Sequence, residues 1–102
     1  MNTKGILQSY TDVKIPDSDI VITLKHNLPW YDQMQLSSIK DDIERARFLI
    51  WKMIYKWNLV NDNGEAVPLT KEVVDEFGAG IVFPLQAELE KIVEEQNQKK
   101  KI

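Results

Sequence analysis

The sequence has no cysteine. Disulfides and thiolate metal sites are therefore excluded. It has one histidine, His26, and a single imidazole has no partner with which to build a metal site. His26 reads as a loop residue with no metal role. Glycine is sparse, and Gly78-Ala79-Gly80 lacks the Lys-Ser/Thr that completes a phosphate-binding loop. No Ser-His-acid grouping stands out. Residues 1–10 contain no apolar run long enough for a signal peptide, and no stretch reaches the length of a membrane span. A basic face is also missing. Residues 61–98 carry nine acids against Lys71 and Lys91, which argues against nucleic acid as a ligand. The adjacent carboxylates Asp41/Asp42 and Glu94/Glu95 point about 100° apart on a helix and cannot share a substrate. These absences together predict a protein that is not an enzyme and carries no catalytic residue, metal or cofactor.

What is present is an ordinary globular composition on 102 residues, 43% hydrophobic and 28% charged, with a net charge of −3. That is the size of one domain and excludes wholesale disorder. The longest periodic stretch is 39–59. Ile39, Ile43, Ala46, Ile50, Met53 and Trp57 step by four and three, one face of a helix. Phe48, Trp51 and Tyr55 make a second ridge, roughly 100–160° around from the first. A helix with two apolar ridges must bury two sides, in its own domain or against a partner.

Val13 and Ile15 alternate with Asp12 and Lys14, and Ile20, Ile22 and Leu24 alternate with Val21, Thr23 and Lys25. Pro16-Asp17-Ser18-Asp19 between them has turn composition, so a short N-terminal β-hairpin is available. Pro29 disfavours helix at Leu28. Asp32 with Gln35, or Ser38 with Asp41, then offers a helix start. Asn61-Asp62-Asn63-Gly64 ends the long segment. Taken as a calcium loop, it would need carboxylate ligands where Leu59 and Thr70 stand, so it is a turn. Thr70 caps a short helix containing Val73, Val74 and Phe77. A last helix begins near Phe83-Pro84, since proline fits a first turn, with Leu85, Leu89, Ile92 and Val93 on its core side. The expected fold is mainly α: a small helical domain with one long central helix and two shorter C-terminal helices, plus the hairpin. Within a single domain 1–102, residues 1–11 and 97–102 are expected to be flexible, 12–25 strand-like, and 32–59, 70–77 and 83–97 helical.

Eight of the nine aromatics lie between residues 30 and 83. Trp57 and Ile50 sit on the main seam and read as core. Phe48, Trp51 and Tyr55 exceed what a small core needs, and such ridges are typical of protein-binding surfaces. With Trp30 they are the candidate partner-binding residues.

Several short motifs follow one another: Trp57-Asn58-Leu59, Asp62-Asn63-Gly64, Val67-Pro68-Leu69-Thr70, then two further helices, the last acidic. Upstream, Leu28-Pro29-Trp30 follows Ile22-Thr23-Leu24-Lys25. The pattern resembles small bacteriophage tail assembly chaperones over about residues 20–95. It departs from them at Phe77-Gly78-Ala79-Gly80, where the family often has Leu-Pro. The resemblance implies a non-enzymatic assembly factor of phage or prophage. Such a protein works in the host cytoplasm, binds the tape measure protein, and brings tail tube subunits to it. It also implies several copies per client, with a homo-oligomer as one arrangement, and no nucleic acid or membrane partner. Members are often also made in a frameshifted longer form, for which Lys99-Lys100-Lys101 offers a codon run. Two rival functions fit the same composition: a structural tail or head–tail connector subunit, and a small acidic inhibitor or regulator of a host protein.

Overall fold

Alternation and turn chemistry build the first two elements. The computed structural model describes residues 9–99, with side-chain surroundings through residue 95. Strands β1 (Tyr10–Lys14) and β2 (Val21–Lys25) pair antiparallel, with Val13 opposite Ile22 and Tyr10 opposite Lys25. In the connecting turn Asp17 takes a left-handed φ of 60°, a conformation that aspartate tolerates better than most residues. The Ser18 hydroxyl donates to the Ile15 carbonyl at 2.9 Å, and the amide of Ile15 donates to the carbonyl of Ile20.

The expected mainly-α fold with one long central helix does not form. The structure is an α/β fold with a three-stranded antiparallel sheet of order β1-β2-β3. Residues 32–59, expected to be helical throughout, divide among three elements: helix α1 (Trp30–Ser38), helix α2 (Asp42–Met53) and strand β3 (Ile54–Trp57). The first break has a local cause. Ile39 and Asp41 are both extended, and the Asp41 carboxylate accepts from the Glu44 amide at 3.0 Å, so Asp41 is the N-cap of α2. Ser38 caps nothing, and its hydroxyl donates back to the Gln35 carbonyl. Asp32 lies in the first turn of α1, where its charge suits the helix dipole.

The second break comes from pairing. Ile54, Tyr55 and Trp57 are strand-favouring types, and β2 has a second edge to satisfy. β3 takes that edge antiparallel, with Ile22 opposite Trp57 and Leu24 opposite Ile54. Thr23 faces Lys56, so Tyr55 is the extra residue of a bulge. The bulge puts Ile54 and Trp57 on the same sheet face although they are three residues apart. Tyr55 is left on the opposite face, its ring 4.5 Å from that of Tyr10.

The segment after β3 folds back on itself. The Asn58 side chain accepts from the Val21 amide at 2.8 Å and donates to the Asp19 carbonyl at 2.9 Å, clamping the start of β2. Val60 bridges Ala66 around a turn in which Gly64 has φ 77°. There the Asn61 side chain accepts from the amides of Asn63 and Glu65. Helix α3 (Lys71–Asp75) is capped by Thr70. Helix α4 (Ala79–Lys99) starts one turn before the expected Phe83-Pro84, so Pro84 lies inside it. Proline there removes the bond to the Gly80 carbonyl. Gly80 is exposed, so water can reach its carbonyl, and Ile81 and Val82 are partly buried against the core.

The core lies between the inner sheet face and the helices. Val13, Ile22, Leu24 and Ile54 meet Ile50 and Met53 of α2, Val74 of α3, and Leu85, Leu89 and Ile92 of α4. Ile22, Leu24 and Leu85 are fully buried. Of the arms expected to be flexible, residues 1–8 and 100–102 lie outside the described residues. Tyr10 and Thr11 belong to β1, and 97–99 continue α4.

Candidate functional site

Helices α2 and α4 converge on the core at Ile50 and Leu89 but stand apart beyond it. The gap is a groove made of two adjoining cavities of about 440 and 360 Å³, which share Ala46, Ile50 and Gln86 as lining. From α2 the walls are Ile43, Ala46, Leu49 and Ile50. From α4 they are Val82, Gln86, Leu89 and Val93, with Val74 and Phe77 closing one end. Ile43 is 72% exposed, unusual for a residue on the apolar face of an amphipathic helix.

The margins are acidic. Asp42 and Asp75 stand at one end, Glu90 and Glu94 at the other. Arg47 is the one cation among the lining residues. Its guanidinium is 2.9 Å from Asp75 and 2.8 Å from Glu44, tying α2 to α3. The hydrogen bond and charge of Asp75, followed by Glu44, raise the Arg47 pKa above its ordinary value. The groove therefore presents an apolar floor between carboxylates, with its only cation already paired.

The expected partner-binding residues do not form one ridge. Tyr55 has left the helix for β3, where it is half exposed and packs on Tyr10. Trp51 is half-buried and packs against the core. Phe48 is half-buried, with the Lys52 ammonium 5.7 Å from its ring centre, and Lys52 also reaches Asp32 at 3.6 Å. Trp30 is 75% exposed at the start of α1, beside exposed Tyr31 and Met34. These three form a second apolar patch, and none of the four expected residues lines the groove. The periodicity of Ile43, Ala46 and Ile50 did signal the groove wall. Helical spacing makes a face apolar without saying whether a neighbouring helix covers it, so on the sequence alone this face reads as core.

His26 is hydrogen-bonded to the Thr11 hydroxyl. Among the described residues no group of three or more His, Cys, Asp or Glu side chains could hold a metal ion, and every buried side-chain polar atom has a hydrogen-bond partner. No helix among them is long and apolar enough to cross a membrane. Comparison of the chain with protein-family profiles, with characterised proteins and with solved structures gives no match.

Proposed function

We propose that this protein is a non-enzymatic client-binding protein, a phage tail assembly chaperone acting in the host cytoplasm. Its client is the tape measure protein, to which it also brings tail tube subunits. The observation that carries this reading is the open apolar groove between α2 and α4. An open apolar groove lined by Ile43, Ala46, Leu49 and Val93 suits the helix-in-groove mode of recognition. A long helical client offers repeated apolar stripes to fill it, and several copies of so small a protein would bind along one client. The exposed Trp30, Tyr31 and Met34 supply a second contact. The net charge of −3 favours solubility of the complex.

The test is co-expression with the long helical protein encoded beside this chain. That protein is expected to stay in the soluble fraction and to co-purify with this one. If it is equally soluble alone, the reading is wrong. Finding this chain in purified virions would instead make it a structural tail or connector subunit.

A further inference from the structure

Resting on that client-binding reading, we infer that the groove takes an amphipathic helix whose apolar stripe is flanked by Lys or Arg toward each end. The groove runs along α4 from Val82 to Val93, about 16 Å at the rise of an α-helix, or three turns. It accommodates a stripe of three apolar residues spaced i, i+4 and i+7. The floor fixes only the apolar stripe, and the margins set the flanks. Asp42, Asp75, Glu90 and Glu94 are partly desolvated when a helix covers the floor. That costs free energy unless each meets a donor or a cation. Asp75 already has Arg47, which it shares with Glu44, so Arg47 is not available to Asp42, Glu90 or Glu94. The counter-charges must therefore come from the occupant. A second copy docking groove to groove would bring the same four carboxylates against each other, since an isologous contact uses one surface twice.

Two synthetic helical peptides with the same Leu stripe, one flanked by Lys and one by Glu, test this by calorimetric titration into the full chain. The Lys-flanked peptide is expected to bind at least about tenfold tighter at low salt, and the gap should narrow as NaCl is added. E90Q combined with E94Q should narrow it as well. I43S should weaken the Lys-flanked peptide without unfolding the chain, because Ile43 packs little of its surface. Equal affinity for both peptides overturns the requirement for cationic flanks while leaving a helical client intact. Binding of neither, with the co-expressed client still held soluble, overturns the groove as the site and spares the client-binding reading. A dimer in sedimentation that I43S dissociates overturns the choice of occupant in favour of a second copy.

Discussion

Ile43 and Ile50 stand on the same face of α2, two turns apart, yet Ile50 is 5% exposed and Ile43 72%. The face runs from the core out into the groove. Replacing Ile50 with Ala should therefore cost about 2–5 kcal/mol, since it opens a cavity beside Met53 and Leu89. Ile43→Ser should change stability by no more than about 0.5 kcal/mol. Urea unfolding of the two variants measures the contrast. Similar losses for both would mean that the groove is closed in solution.

Trp51 supports the fold rather than standing free. Trp51→Ser is expected to lower the unfolding free energy by roughly 1–3 kcal/mol, less than truncation of a fully buried aromatic. Phe48→Ser should cost less, because Phe48 is not among the residues packed against the core as Trp51 is. Thermal melts followed by circular dichroism would rank the two.

Trp57 holds the segment after β3 in place. Its indole N–H donates to the Val67 carbonyl at 2.9 Å, and its ring lies 5.6 Å from that of Phe77. Trp57→Phe keeps an aromatic in the site and removes the donor. The expected cost is about 0.5–1.5 kcal/mol. Hydrogen exchange at Val67, whose amide donates to the Leu59 carbonyl, should speed up before exchange in β2 does.

The Arg47–Asp75 pair links α2 to α3 at one end of the groove. Both side chains are part-exposed, so Arg47→Gln should lower the melting temperature only slightly, and added salt should erase the difference. Its pH dependence has a definite sign. The Arg47 pKa is raised in the folded chain, first by Asp75. Its contribution is thus complete below the ordinary guanidinium range and is lost only as pH rises through the raised value. Between pH 6 and 9, roughly, Arg47 itself should add no pH dependence to stability.

Much of the local structure is legible without coordinates. The alternation through Val13, Ile22 and Leu24, the turn chemistry at Asn61–Gly64, and the Thr70 cap each depend on neighbours within a few residues. The stretch 39–59 is different. Its step of three and four is real, and α2 uses it. However, Ile54 and Trp57 satisfy helical spacing and strand composition equally well. The choice rested on whether β2 needed a partner on its second edge, and that edge is set by residues thirty or more positions away. The break at Ile39–Asp41 was within reach, because Asp41 is followed three residues later by Glu44. The stronger periodic pattern ran across it.

The candidate site divides along the same line. By itself the sequence determined the chemistry available: no thiol, one imidazole, an excess of acid after residue 60, and apolar faces on the segments that became α2 and α4. Only the tertiary structure decided which of those faces stayed open. Burial is a property of pairs of elements. The entry of β3 into the sheet and its bulge put Tyr55 on the far sheet face, while Trp51 packs against the core from α2. Between α2 and α4, Ile43 and Val82 line one cavity and Leu49 and Val93 the other, a gap that no other described segment fills.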